Sequence, residues 1–371
     1  MSRLFTPWQL GELELPNRIV VAPMCQYSAD DGTPGDWHLL HLGTLALSGA
    51  GLLMLEATAV SREGRISARD LGLYRNPNES ALKKILGFVR EQSDIAIGIQ
   101  LSHAGRKGSS QVPWEGGKQI GSEDSDGWKT EAPSPIPHAE GEDPPLELDE
   151  EGLERVREDF VESARRAMRL ALDGIEIHMA HGYLLHQFLS PLANQRGDDY
   201  GGSLENRMRF PLEVFDAVRA TFSPKRPVWA RISATDWVEG GWDVDSAVVL
   251  AKALKARGCA AIHVSSGGVS TAQKIELAPG YQVAFAERIR AEAQIQTIAV
   301  GLITEPEQAE AIIEAGQADA VALARGMLWN PRWPWLAAAR LGGQVVAPKP
   351  YWRSQPRGHE GLFTGAQNKQ R

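Results

Sequence analysis

Eight short apolar, β-branched runs recur along this chain, each closing on small or polar residues, at 19–23, 52–57, 96–101, 174–178, 228–232, 261–265, 298–301 and 320–324. Runs that are apolar nearly throughout are buried on both faces, the condition of strands in a parallel sheet covered by helices. Segments of helical spacing lie between them. Over 152–172, Leu153, Val156, Phe160, Ala164, Ala167 and Leu170 share one face while Arg and Glu take the other. The segments 206–219, 244–256 and 306–315 read the same way. Eightfold alternation of this kind predicts an α/β protein, a single closed (β/α)8 TIM barrel with its helices outside. The competing arrangement, an open doubly wound sheet, calls for a glycine-rich dinucleotide fingerprint after the first strand, and none follows Pro23.

A length of 371 residues allows two average domains or one barrel with insertions, so the alternation has to decide. It gives one barrel domain, with an irregular tail after Pro348 in which Tyr351, Trp352 and Arg353 stand among prolines and polar residues. The stretch 106–148 breaks the rhythm, being rich in Gly, Pro, Asp, Glu and Ser around Trp114 and Trp128. A connection this long is a functional cover or a disordered insert, and after a third strand it would lie over the C-terminal mouth, where barrel enzymes work. Apolar residues at 43% and charged residues at 23% suit a chain with a large core. A formal charge of −8 disfavours nucleic acid or an anionic membrane as partner, since both demand a positive field, and leaves a small molecule. The first residues lack the charged-then-apolar pattern of a leader, and no run approaches about 18 apolar residues, so a cytoplasmic location is expected. Cys25 and Cys259 match no disulfide or zinc spacing and are expected as free thiols.

The residues closing the eight runs are Cys25, Ala57, Gln100 with His103, His178, Arg231, Ser265, Gly301 and Arg325. Small or polar groups at nearly every strand end suit a broad ligand lying across the mouth better than a point-like metal. Loops after strands seven and eight form the usual phosphate site of barrels, and here they carry Gly301, Leu302 and Arg325. The densest polar cluster is His178-Met179-Ala180-His181-Gly182-Tyr183. Two imidazoles and a phenol on one turn can polarise a carbonyl and deliver a proton; structural histidines are an alternative reading, and a zinc pair a further one that two ligands without a nearby third support only weakly. Arg231 stands among Trp229, Ala230 and Ile232, and a charge ending a core strand needs an anionic partner. Cys25 reads either as a small buried hydrophobe or as a functional thiol.

At these motifs the sequence resembles the Old Yellow Enzyme family, specifically its bacterial, thermophilic-like subgroup. The matching pieces run in family order: Pro23-Met24-Cys25-Gln26-Tyr27, Glu56-Ala57-Thr58, Gln100 to Lys107, His178 to Tyr183, Asp199 to Arg207, Ser265-Ser266-Gly267-Gly268, Pro279-Gly280-Tyr281-Gln282, Ala299 to Ile303, Ala324-Arg325, and a tail ending at Arg353. The resemblance implies an FMN-dependent ene-reductase of ping-pong kinetics, in which hydride passes from NADPH or NADH to flavin N5. It then goes to the β-carbon of an α,β-unsaturated carbonyl or similar activated alkene. It implies FMN contacts at Pro23, Met24, Cys25, Ala57, Gln100, Arg231, Gly301, Ala324 and Arg325, with Cys25 modulating the flavin. His178 and His181 would hold the substrate oxygen, Tyr183 would protonate the α-carbon and Tyr27 would touch substrate from the other side. Arg353 would reach a neighbouring subunit's site in a homodimer or multiple of dimers, which bounds the FMN-binding barrel at 1–353 and leaves 354–371 as a C-terminal extension. No metal is implied. Two other readings stay open: a metal-dependent barrel hydrolase using His178 and His181 with His263 or Asp236, and a barrel retained for flavin binding or interaction alone.

Overall fold

The computed structural model describes residues 2–366. Eight parallel strands close into one barrel in sequence order: β1 (Ile19–Val21), β2 (Leu52–Ala59), β3 (Ala96–Ser102), β4 (Gly174–Met179), β5 (Val228–Ser233), β6 (Ile262–Ser265), β7 (Thr297–Ala299) and β8 (Ala320–Leu323), with β8 pairing back onto β1. The strands fall on the eight apolar runs, displaced by a residue or two at their ends, because a hydrogen-bonded ladder and an apolar run need not stop together. Closure excludes the open doubly wound sheet. Nearly every strand residue is buried, packed inward against the other strands or outward against the helices.

The outer layer is α1 (Asp36–Ala46), α2 (Asn76–Gln92), α3 (Glu150–Arg169), α4 (Leu204–Thr221), α5 (Val244–Ala256), α6 (Val283–Ala293), α7 (Pro306–Glu314) and α8 (Trp333–Leu341). Three of them start on side-chain caps. Asp149, Ser203 and Asp243 accept from the backbone N–H of Gly152, Asn206 and Ser246, satisfying donors that the first helical turn leaves free. Leu153, Val156, Phe160, Ala164 and Ala167 of α3 are all buried, as their spacing predicts. An N-terminal hairpin, Trp8–Leu10 with Leu13–Leu15, lies at the opposite end of the barrel from the mouth. There the Trp8 indole donates to Gln296, just before β7.

Between β3 and α3 the long connection carries two 3-10 turns, Gly105–Lys107 and Pro113–Glu115, and a small parallel pair, Glu131–Ala132 with Leu146–Glu147. It is tied to the mouth. The buried Arg106 donates to the carbonyls of Ile136, Pro137 and Val269, joining the connection to the loop after β6. Beyond α8, Val345, Ala347, Leu362 and Phe363 form a second small apolar cluster with Ala338. The extension therefore folds back on the barrel through residue 366, while 367–371 lie outside the described residues. Among the described residues no helix is long and apolar enough to cross a membrane.

Candidate active site

Strand β4 alternates Ile175, Glu176, Ile177 and His178, so the two polar side chains share the face opposite the isoleucines. After Met179 the chain turns sharply, with His181 at φ 59° and Gly182 at φ 73°. The turn needs glycine: a Cβ on Gly182 would lie 2.1 Å from the Gly268 carbonyl oxygen, and one on Gly268 would lie 2.5 Å from the His181 backbone. Close packing of the loops after β4 and β6 brings His178, His181 and Tyr183 together. The His178 ring lies 5.0 Å from His181 and 4.9 Å from Tyr183, each edge-on.

Hydrogen bonds set the tautomers. His178 Nδ1 accepts from the Ala180 N–H at 3.2 Å, which leaves the proton on Nε2, 3.3 Å from His181 Nδ1. His181 Nε2 then carries a proton and stands 2.7 Å from Ser265 Oγ. Burial, reinforced by the Arg231 charge, holds both imidazoles well below the usual histidine range, so they are neutral donors at physiological pH. Burial likewise pushes the Tyr183 phenol well above its ordinary value, with Cys25, Tyr27 and Asp70 adding to the shift. Tyr183 thus keeps its proton. Lys107 anchors the turn, donating to the carbonyls of His181 and Gly268 while its ammonium lies 5.2 Å from the Tyr183 ring centre. Burial brings that ammonium down to about 8.

Arg231 closes β5 beside this cluster, 8% exposed, and its Nε has no hydrogen-bond partner among the described residues. A buried guanidinium with an unspent donor is costly unless an anionic or strongly accepting group completes it. The pyrimidine edge of an isoalloxazine, with its carbonyl oxygens, is such a group, and the residues present fit FMN there. Across the barrel, Ala57 is in register with Gln100 where β2 is irregular. Pro23 and Met24 follow β1, and Gln26 folds back so that its side chain donates to the Met24 carbonyl. Cys25 is a free thiol beside Tyr27, kept protonated by burial and by the nearby Asp70 and Glu56. Tyr27 packs edge-on to Trp114 of the long connection at 5.8 Å.

On the far side, Gln282 accepts from Ser266 Oγ at 2.6 Å and donates to the Val300 carbonyl, bracing the segment that carries Gly301 at φ 117°. Arg325, exposed, follows Ala324 at the end of β8; burial pushes the Tyr281 phenol up, and the charges of Arg325 and Arg231 both oppose that shift. Arg353 lies elsewhere, exposed on a 3-10 turn of the tail, Lys349–Ser354.

Several side chains that support this arrangement carry no recognisable motif in the sequence. Glu176 binds Gln100, Trp229 and His263 beneath the mouth. Asp236 pairs with His186 at 3.0 Å, both fully buried, and accepts from Ser190 and the Trp242 N–H. Neither Asp236 nor His263 therefore stands with His178 and His181 as a metal set would require. Asp70, pushed up to about 7 by burial, accepts from Ser67 and Ile66 behind Cys25. The available signal was a lone acid inside an apolar run, as in Gly174-Ile175-Glu176-Ile177, because a charge there must have buried partners.

Residues 3–342 match the family model described as the NADH:flavin oxidoreductase / NADH oxidase family. An NADPH dehydrogenase of Geobacillus thermodenitrificans is 46% identical over 352 residues, 94% of this chain and 98% of that one. An NADPH dehydrogenase of Listeria monocytogenes is 43% identical over 357 residues, 95% and 99% of the two chains. The solved structure of morphinone reductase in complex with tetrahydroNAD superposes with a TM-score of 0.75 at 31% identity, covering 99% of this chain and 96% of that one. With a closed barrel, a mouth suited to a flavin and matches of this extent, the chain belongs to the NADH:flavin oxidoreductase / NADH oxidase family, the Old Yellow Enzyme family its motifs resemble, and is an oxidoreductase that works with FMN and a nicotinamide donor.

Proposed function

We propose that this enzyme reduces activated carbon–carbon double bonds, those conjugated to a carbonyl or similar acceptor. The observation that carries the reading is the cluster on the β4 turn: two neutral imidazoles with assigned N–H groups beside a phenol that holds its proton and spends no hydrogen bond on the described residues. FMN, when bound, supplies the hydride that reaches the β-carbon of the alkene. The protein does the rest. With substrate bound, the His178 and His181 N–H groups turn from His181 Nδ1 and Ser265 Oγ to the carbonyl oxygen, and there they favour the negative charge that develops as hydride arrives. Tyr183 gives its proton to the α-carbon. Arg231, with Gln100, Ala57, Pro23 and Met24, would hold the ring; Gly301, Ala324 and Arg325 would hold the phosphate; Cys25 would modulate the ring. Tyr27 closes on the substrate from the other side, and the segment 106–148 covers the mouth.

NADPH is the proposed donor, with NADH as the alternative, and both substrates use one face in turn. The proposed setting is a cytoplasmic homodimer or multiple of dimers. Arg353 on its exposed turn is the proposed contact to a neighbouring site: Arg353→Ala should weaken alkene affinity while FMN stays bound, and an unchanged KM for the alkene would remove that role. The function itself is tested by visible spectroscopy without oxygen. Added NADPH should bleach the flavin bands of the purified protein, and a cyclic enone should restore them; restoration by oxygen alone, with none from the enone, would reject alkene reduction.

A further inference from the structure

Glu176 is completely buried on β4 and gathers side chains from three other strands. The Gln100 amide donates to its Oε1 at 2.6 Å, the Trp229 indole donates to Oε2 at 2.6 Å, and His263 Nδ1 stands 2.8 Å from Oε2. Burial pushes its proton affinity up, but His263, the Arg231 guanidinium and the Trp229 N–H outweigh burial and keep it ionised. Two consequences reach the mouth. An amide whose nitrogen is committed to Glu176 leaves its carbonyl oxygen for a ligand, and Gln100 Oε1 makes no hydrogen bond among the described residues. Glu176 is also the chief anion acting on Arg231, whose Nε is unspent.

We propose that Glu176 is a positioning residue for FMN: it fixes the Gln100 amide so that its oxygen meets the imide N–H of the ring, and its charge offsets part of Arg231's. The first effect governs how tightly FMN binds. The second sets the reduction potential, because the reduced ring carries negative charge on its pyrimidine side, where Arg231 favours it and Glu176 opposes it. Replacing the carboxylate by an amide makes both effects visible. Trp229 can only donate, so it takes the new carbonyl oxygen, and the new NH2 turns toward Gln100. Gln100 must then flip, presenting a donor where the imide N–H needs an acceptor.

The experiment measures FMN affinity of the apoprotein and the midpoint potential of the holoprotein for wild type, Glu176→Gln, Glu176→Asp and Gln100→Ala. Glu176→Gln should bind oxidised FMN about tenfold or more weakly, the scale of one misdirected buried hydrogen bond. It should also favour the reduced form by about tenfold, a rise near 30 mV for a two-electron couple. Glu176→Asp keeps the charge but not the reach, so it should lose affinity to the level of Gln100→Ala while holding the wild-type potential. Combining Gln100→Ala with either Glu176 change should cost no further affinity. Wild-type affinity in Glu176→Asp, or additive losses in the double variant, would overturn the positioning role even if Glu176→Gln fails to fold. An unchanged or lowered potential in a folded Glu176→Gln protein would overturn the charge role. None of these readouts involves an alkene, so they stand apart from the test of alkene reduction.

Discussion

Replacing Tyr183 with Phe should slow the alkene half-reaction about 10²-fold or more, the contribution of a positioned general acid, and leave reduction of the bound flavin by nicotinamide nearly unchanged. The split follows from what the phenol does. Its ring packs edge-on to His178 at 4.9 Å and beneath the Lys107 ammonium, contacts that phenylalanine keeps, so the turn should survive the loss of the hydroxyl. Only the proton is gone. The hydroxyl makes no hydrogen bond to the described residues, so its removal leaves no buried group newly unpaired. Stopped-flow measurement of the two half-reactions separates the steps, and equal slowing of both would take Tyr183 out of the proton-donor role. A second arm uses His178→Ala and His181→Ala. A phenol should bind as its phenolate through the same two N–H donors, and each truncation should then weaken phenol titration by about tenfold or more, the loss of a charge-assisted hydrogen bond. Unchanged titration in both would leave the substrate oxygen without its proposed partners.

Barrel closure was legible because a parallel strand buried on both faces writes itself as an apolar run, and all eight did so, down to the three residues of β7. The helices were less even. In α3 a charged face opposes a buried one, whereas α1 reads Asp-Trp-His-Leu-Leu-His-Leu-Gly-Thr-Leu-Ala, with Trp37 and Leu40 exposed and His38 buried, so its periodicity hides which side faces the strands. His38 is buried because it reaches Glu56 on β2, a contact between segments that no local pattern records. The same limit applies to the mouth. His178, His181 and Tyr183 are legible because they crowd one turn, but the sequence says only that Arg231 needs an anionic partner, and nothing local reveals that Glu176 on another strand is the chief anion acting on it. Strand register brings Glu176 next to Trp229 and His178 next to Arg231, and register is set by barrel closure rather than by neighbours in sequence.

The other large effect is expected where no motif pointed. Asp236→Ala should lower the unfolding free energy by about 3–5 kcal/mol, the cost of leaving three buried donors unpaired at about 1–3 kcal/mol each. Asp236 sits in the loop after β5, fully buried, 3.0 Å from His186 Nε2 and accepting from Ser190 Oγ at 2.6 Å and the Trp242 N–H at 2.7 Å. His186 in turn accepts the Gly182 N–H at 2.8 Å through Nδ1, so the pair also pins the turn that carries Tyr183. Losing the carboxylate leaves an imidazole, a hydroxyl and a backbone N–H in the interior with nothing to bind, and loosens the residue before the phenol. Burial pushes the Asp236 carboxyl up, but His186, Ser190 and the Trp242 N–H outweigh it, and the folded value lies below the ordinary one. Its ionised form therefore stabilises the fold fully above the unfolded value of about 4. That stabilisation is lost as pH falls through the lower folded value. The gap between wild type and Asp236→Ala should accordingly be widest near neutrality and narrow below about pH 4. Urea unfolding followed by tryptophan fluorescence across that range checks both size and sign, and a gap that widened on acidification would mean that the carboxylate is not what holds this loop.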